Sequence, residues 1–360
     1  MSTNQKPIRV IQWATGAVGK FSIGAYHTKP GLELVGCYVH SASKNGKDAG
    51  EIAGLGPIGV KCTNSIDEIL KVDADIVHYA PLLSNVDEMC RILESGKNLV
   101  TPSGFTTVRN KADEKKLQEA CLKGGVSMHG SGIHPGFSGD RLPLILSAMS
   151  RRIDKITVHE IIDMSRVNES WEMVTNLGFD MSPEDAKANP PFLLDVMSTI
   201  FFESIALVAA GLGIEIEDYE KKHRFALAKQ DVDVDLELGT KKGKIRKGHV
   251  AGQNFNYAGR VKGKPVIEFK TFWPMSEEIA QEWGHTEPWA YKILVEGDPD
   301  LRLNFTCGKE DGSDSAALGL LCTAMNCVNT MAHVVAARPG IVTQLDLPMI
   351  RAYQAFNLPK

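Results

Sequence analysis

The segment Val10-Ile-Gln-Trp-Ala-Thr-Gly-Ala-Val-Gly19 carries the most chemical information in this chain. An apolar run ends in a turn of small residues, and a helical pattern begins at that turn. The spacing Ala14-x-Gly16-x-x-Gly19 is a dinucleotide fingerprint with alanine in its first place. Gly16 lets the backbone approach a pyrophosphate, and Gly19 lets the helix pack close to its strand. Ala14, Thr15, Gly16, Ala17, Val18 and Gly19 are therefore the expected phosphate-binding turn. The helix N-terminus adds unpaired N–H groups and a positive dipole end. The end of the next strand selects the cofactor, because an acid there would hydrogen-bond the ribose 2′-OH of NAD. The sequence instead runs Val39-His40-Ser41-Ala42-Ser43-Lys44, with no acid before Asp48. His40, Ser41, Ser43 and Lys44 are expected on the adenosine side, where the two serines and the lysine suit a 2′-phosphate. The reading favours NADP and leaves NAD open.

Hydride transfer also needs a polarised carbonyl or iminium and a proton donor or acceptor within reach. Open α/β sheets place ligands outside the carboxyl ends of their strands. Tyr79, Ala80 and Pro81 close one such strand, and Thr101, Ser103, Gly104 and Phe105 follow another. His134 lies between Gly132 and Pro135-Gly136 on the crossover between two domains, and is the first acid/base candidate. Asp163, at the end of the apolar run Ile161-Ile162, is the second, and Tyr79 the third. Each has a plainer alternative: a hinge histidine, an exposed strand-end carboxylate, and a core tyrosine with a satisfied hydroxyl. Asp140 is expected to cap a helix. Trp171, Met173, Asn176, Phe179, Phe201 and Phe202 are candidate lining residues for an apolar pocket, or simply core. No metal site is expected. The seven cysteines form no Cys-x-x-Cys pair. The row Asp231, Asp233, Asp235 and Glu237 reads as a solvated strand face rather than a cation site.

These residues need a scaffold. Strand patterns at 8–13, 32–40, 74–79, 98–101 and 126–129 alternate with helical ones at 18–26, 66–70, 85–94 (after a cap at Ser84) and 111–123. That alternation implies βαβ units and a parallel sheet. After Pro135 a helix at 140–149, a strand at 155–162 and a long apolar helix at 192–212 precede a strand-rich stretch from 224 to 306. Its clearest piece, 230–238, alternates with period two, as a strand with one wet face does. The expected fold class is α/β, a Rossmann-type parallel sheet followed by an α+β domain on a mostly antiparallel sheet. The dinucleotide domain covers 1–135, with 313–360 returning to it, and the substrate domain covers 136–312.

Composition narrows the class further. The 360 residues carry 40 Lys+Arg against 44 Asp+Glu, with 43% hydrophobic residues, so nothing in the overall charge draws nucleic acid or anionic membrane. The basic run at 241–247 reads as a solvated hairpin turn. The charge-free stretch from Ser315 to Ala337 is long enough to span a bilayer, but it carries Asn326, Asn329 and His333 and reads as a buried core helix. Unpaired cysteines and the absence of an apolar N-terminal run point to the cytoplasm.

Further segments resemble known families. Gly96-Lys-Asn-Leu-Val-Thr-Pro-Ser-Gly-Phe-Thr106 is similar to the Gly-Thr-Thr-Gly-Phe stretch of dihydrodipicolinate reductases. The resemblance implies that Thr101, Ser103, Gly104 and Phe105 lie beside the nicotinamide. Gly130-Ser-Gly-Ile-His-Pro-Gly-Phe137 resembles the crossover of 2,4-diaminopentanoate dehydrogenases and related amine dehydrogenases. Asp48-Ala-Gly-Glu51 and the stretch 323–339 are similar to the same group, and Asn326 is counted with the cofactor-binding residues. Two departures matter. The His-His-x-x-x-Lys cluster of the reductases is replaced by Glu160-Ile-Ile-Asp-Met-Ser-Arg166, so lysine biosynthesis is not expected. The glutamate that amine dehydrogenases carry after the Gly-Lys-Asn strand is replaced by Gly104-Phe105. No arginine stands out as a bidentate clamp for a carboxylate, with Arg141 and Arg166 the candidates, which argues against a dicarboxylate substrate. The implied activity is NAD(P)H-dependent hydride exchange at a C=N carbon of a small, mostly apolar substrate. The alternatives are an ammonia-independent carbonyl reductase or alcohol dehydrogenase, and a non-catalytic NADP-binding sensor. A homodimer formed through the second sheet is expected.

Overall fold

The computed structural model describes residues 6–167, 171–188, 192–236, 242–309, 314–352 and 355. The chain divides into two compact units, Met1–Phe137 with Leu320–Lys360, and Ser138–Gly319. The first runs β1 (Ile8–Trp13), α1 (Ala17–Thr28), β2 (Leu32–Tyr38), α2 (Ala49–Ala53), β3 (Cys62–Thr63), α3 (Ile66–Ile69), β4 (Ile76–Tyr79), α4 (Val86–Glu94), β5 (Asn98–Thr101), α5 (Lys111–Gly124) and β6 (Ser127–Gly130). The second runs α6 (Arg141–Ser147), β7 (Arg152–Ile162), α7 (Trp171–Asn176), α8 (Pro183–Ala188), α9 (Phe192–Gly211), β8 (Asp218–Leu227), β9 (Val232–Asp235), β10 (Lys242–Ile245), β11 (Val250–Val261), β12 (Lys264–Pro274), α10 (Glu277–Glu282), β13 (Trp289–Asp298) and β14 (Leu301–Thr306). Among the described residues the chain then continues through α11 (Ser315–Val335) and β15 (Gly340–Ile341).

The first sheet is parallel throughout, in the order β15-β6-β5-β4-β1-β2-β3. Its central strands are buried on both faces, which is why they read as nearly continuous apolar runs. Ile11, Trp13, Val77, Tyr79 and Leu99 pack with Met89, Ile92, Leu93 and Leu117 of α4 and α5. Val10, Ile76 and Val100 pack on the opposite side with Tyr26 and with Cys327, Val328, Met331 and Val334 of α11. The spacing of those four puts them on one helical stripe. The helix is long and apolar enough to cross a membrane by length and composition, and this stripe is what it buries against the sheet.

The second unit is built on a mixed sheet in the order β14-β13-β7-β12-β11-β8. Only the β7–β12 pair is parallel. Helix α9 covers one face, where the Phe201 ring lies 5.0 Å from Tyr257 and 6.3 Å from Phe269. The other face is polar: Asn256 donates to Glu268 at 3.3 Å, and Glu268 pairs with Lys155 and Lys270.

Three local expectations are corrected. The cap of α4 is Asn85 rather than Ser84, since its side chain accepts from the Asp87 and Glu88 amides. The alternating acidic stretch is not part of the large sheet; β9 and β10 form a separate two-stranded hairpin. The basic stretch is the second strand of that hairpin rather than its turn, because Lys244 sits opposite Asp233 and pairs with Asp231 and Asp233. The Lys244 charge is met inside the hairpin. Glu237, Leu238 and Lys241 lie outside the described residues.

Candidate active site

The turn between β1 and α1 is shaped by close backbone contacts. Ala14 has φ +74, a left-handed conformation that costs a non-glycine residue about 1–2 kcal/mol. Its N–H donates to the Tyr38 carbonyl at 2.9 Å. Gly19 is required by space: a Cβ there would stand 2.3 Å from the Ala14 oxygen. Gly16, the N-cap of α1, has ordinary extended backbone, and a Cβ on it would meet nothing within 4 Å. No side chain caps α1, and no acid lies in its first turn. Donors with open space before them and no competing carboxylate suit a pyrophosphate. The residues present therefore fit a dinucleotide.

Strand β2 ends at Tyr38, so His40 to Lys44 form a loop beside this turn. Ser41 Oγ and Ser43 Oγ lie 2.7 Å apart, and Lys44 Nζ donates to Thr15 Oγ1 at 3.0 Å. The nearest acid in the chain is committed elsewhere. Asp48 accepts from the Ile58, Gly50 and Gly59 amides at 2.8–3.0 Å, and these bonds hold its carboxyl below the usual range.

Two more strand ends contribute. Ala80 donates to the Trp13 carbonyl at 3.0 Å, and the Pro81 carbonyl accepts from Ser103 Oγ at 3.2 Å. Thr101 is buried, with Oγ1 3.2 Å from the Ser103 amide. Gly104 and Phe105 both have positive φ. Gly130 makes room for them, since its Cβ would lie 2.2 Å from the Phe105 carbonyl carbon. This part of the first unit brings together the fingerprint turn and the 80–81 and 101–105 segments around the carboxyl ends of β1, β4 and β5.

The other candidates sit in different surroundings. Tyr79 is fully buried; its hydroxyl donates to Glu88 at 2.8 Å and accepts from the Asn85 amide at 3.0 Å. Burial raises its pKa, so it holds the start of α4 and is a poor proton donor. Asn326 does not reach outward as a cofactor ligand through its amide nitrogen, which donates to the Gly132 and Gly136 carbonyls at 2.6 and 3.1 Å. It braces the loop that carries His134, and Gln344 donates to the same Gly136 carbonyl at 2.5 Å. In the second unit, Asp163 accepts from Ser165 Oγ at 2.6 Å and from Arg166 Nε at 3.0 Å. It closes a turn in which Arg166 is already paired. Asp140 caps α6 and accepts from Ser204 Oγ at 3.1 Å. Trp171 lies on Gly243 of the hairpin, and Phe179, Phe201 and Phe202 are core. Among the described residues no group of three His, Cys, Asp or Glu could hold a metal.

Comparison with known proteins gives this geometry a family. Residues 137–357 match the pattern of the 2,4-diaminopentanoate dehydrogenase C-terminal domain. The chain belongs to that family. Residues 10–129, which contain the fingerprint turn, match the dihydrodipicolinate reductase N-terminus. An amine dehydrogenase from Streptomyces virginiae is 27% identical over 358 residues, covering 95% of this chain and 96% of that protein. A 2,4-diaminopentanoate dehydrogenase from Acetoanaerobium sticklandii is 21% identical over 362 residues, covering 96% and 94%. The solved amine dehydrogenase from Mycobacterium smegmatis shares the fold, with a TM-score of 0.78 at 21% identity over 99% of this chain and 100% of that one. As a member of this family the protein is an NAD(P)-dependent dehydrogenase or reductase.

Two side chains of the first unit were passed over in the sequence. Gln12 is fully buried in β1, and its amide donates to the Ala14 carbonyl at 3.0 Å. An amide inside the apolar run Ile8–Trp13 is the signal that could have found it. Gln344 gave no such signal, because its contact with Gly136 spans more than two hundred residues.

Proposed function

We propose that the protein exchanges hydride between NADP(H) and the C=N carbon of a small, mostly apolar amine or imine. The observation that carries this reading is the near full-length likeness to proteins named amine dehydrogenase and 2,4-diaminopentanoate dehydrogenase, together with a fingerprint turn open at Gly16. In this reading the bound nicotinamide supplies or accepts the hydride. Thr15, Gly16, Ala17 and Val18 hold the pyrophosphate through backbone N–H groups. Ser41, Ser43 and Lys44 take the 2′-phosphate, and the commitment of Asp48 to three backbone amides supports NADP over NAD. Thr101, Ser103 and Gly104 face the nicotinamide side. His134, on a loop braced by Asn326 and Gln344, moves the proton that accompanies hydride transfer.

The family resemblance implies a glutamate where this chain has Gly104-Phe105, and this favours a second reading, carbonyl reduction without ammonia. One assay separates the two: NADPH and NADH oxidation with ketones and aldehydes, each with and without ammonium. Consumption that requires ammonium supports amine chemistry. Consumption indifferent to ammonium overturns it in favour of carbonyl reduction, and cofactor binding without turnover on any substrate points to a sensor. A cytoplasmic homodimer joined through the polar face of the second sheet completes the proposal, and light scattering of the purified chain tests the dimer.

A further inference from the structure

Three buried polar residues from three elements meet beneath the fingerprint turn. Gln12 of β1 and His78 of β4 are fully buried, and Tyr26 of α1 nearly so. The Gln12 amide nitrogen lies 3.0 Å from the Ala14 carbonyl and 3.3 Å from that of Trp13. Its oxygen, 3.2 Å from Tyr26 Oη, accepts the tyrosine proton. Tyr26 Oη also lies 2.8 Å from His78 Nδ1, so the histidine tautomer with hydrogen on Nδ1 completes a one-way chain: His78 to Tyr26, Tyr26 to Gln12, Gln12 to Ala14. Burial holds His78 neutral near pH 7. Burying polar atoms in the central layer is unfavourable unless they find partners, and here the imidazole Nδ1, the phenol and the amide are joined in one chain.

The chain ends at the one residue of the fingerprint that breaks its own pattern. Ala14 occupies the place of the first glycine and has φ +74, a region an L side chain adopts reluctantly. Gly19 leaves room for the arrangement, since a Cβ there would strike the Ala14 oxygen and stand 3.2 Å from the Gln12 amide nitrogen.

We propose that Gln12, oriented by Tyr26 and His78, is a positioning residue for the cofactor: it holds the Ala14 carbonyl so that an alanine keeps the left-handed turn that sets the Thr15–Gly16 donors. A buried side-chain brace thus does here what glycine's conformational freedom does elsewhere. The inference rests on reading this turn as the dinucleotide site. Gly16→Ala tests that reading separately, because its methyl enters the ligand space without touching the brace.

The experiment is a coupling cycle on NADPH affinity, with Gln12→Leu and Tyr26→Phe made in the Ala14 and the Ala14→Gly backgrounds. Affinity is read by fluorescence titration well below the melting temperature. With Ala14 present, Gln12→Leu is expected to weaken NADPH binding about tenfold, equal to about 1.4 kcal/mol, and to raise KM more than it lowers kcat. With glycine at 14 the same substitution is expected to change affinity less than threefold. A residue that merely fills the core would lower the melting temperature in both backgrounds, with no rescue of affinity by glycine. Tyr26→Phe removes only a hydroxyl and gives the same comparison if Gln12→Leu does not fold. Unchanged affinity in these variants, or a loss equal in both backgrounds, overturns the inference. Wild-type affinity in Gly16→Ala would instead overturn the placement of the site.

Discussion

Two glycines three residues apart, one in the turn and one in the helix it starts, make opposite predictions, and the contrast tests the cofactor site. In Gly19→Ala the new Cβ would lie 2.3 Å from the Ala14 oxygen, a backbone atom that cannot swing aside. Forced overpacking of this kind costs about 1–3 kcal/mol. In a unit of this size each kcal/mol lowers the melting temperature by about 2–4 °C, so a loss of roughly 2–12 °C is expected. In Gly16→Ala the methyl meets nothing within 4 Å, and φ −71 with ψ −172 is backbone that alanine adopts freely. Only the weaker N-cap preference of alanine operates, costing roughly 0.5–1 kcal/mol. In the proposed placement of the cofactor, that methyl stands where the pyrophosphate approaches. Losing one hydrogen bond to a charged acceptor costs about 1.5–3 kcal/mol, or about ten- to a hundredfold in Kd. The assay is thermal melting beside NADPH titration for both variants. A folded Gly16→Ala protein that binds NADPH like wild type would refute the placement of the pyrophosphate. A Gly19→Ala protein with an unchanged melt would refute the packing argument.

Three other expectations follow from particular contacts. Lys44→Ala should raise KM for NADPH at least tenfold while leaving KM for NADH within about twofold, the cost of one charge-assisted bond; equal effects on the two cofactors would remove Lys44 from the 2′-phosphate. His134→Ala should lose about 10²- to 10⁴-fold in turnover with NADPH affinity retained, and wild-type turnover would return His134 to a hinge role. Stability should fall in acid because of buried histidines. Burial lowers the pKa of His78 to about 3, and burial with nearby cations lowers that of His159 to about 4, both from 6.5. Below pH 6.5 the unfolded chain takes up protons that the folded chain refuses. His78 alone then removes about 1.4 kcal/mol per pH unit until its folded pKa is reached. Urea unfolding from pH 7 to pH 5 checks this, and a flat profile would contradict the burial of these rings.

Most of the scaffold was legible because its signals are local. The run Ile8–Trp13, the small-residue turn and the helical pattern after it are neighbours in sequence, and they became β1, the fingerprint turn and α1. The charge-free stretch after Ser315 was readable for a related reason: Cys327, Val328, Met331 and Val334 recur at helical spacing, and that stripe meets the sheet. Where a choice depended on which strand would be the partner, the pattern within one strand failed. The acidic alternation at 231–235 predicts a strand correctly, but period two cannot say which strand will be its neighbour. The answer lay in Lys244, which neutralises Asp231 and Asp233 within a separate hairpin.

The site was less legible, and the reason is how polar side chains are satisfied. Residue type marks a group as able to do chemistry, but the structure decides whether its capacity is already used. Tyr79 was a proton-donor candidate until Glu88 and the Asn85 amide appeared on either side of its hydroxyl. Asp163, the second acid/base candidate, has Ser165 and Arg166 closing a turn around it. Asn326, expected among the cofactor-binding residues, places its amide nitrogen on the carbonyls of Gly132 and Gly136. The occupying partners are a carboxylate and a backbone amide for Tyr79, a hydroxyl and a guanidinium for Asp163, and two backbone carbonyls for Asn326, and a residue list displays none of these pairings. Gln12 shows the converse. It drew no attention as a chemical group, yet a buried amide must spend its hydrogen-bonding capacity somewhere. That capacity goes to the carbonyl of Ala14, the residue that departs from the glycine pattern. A substitution that looks like a defect in the fingerprint is thus matched, two residues earlier, by the side chain able to hold it in place.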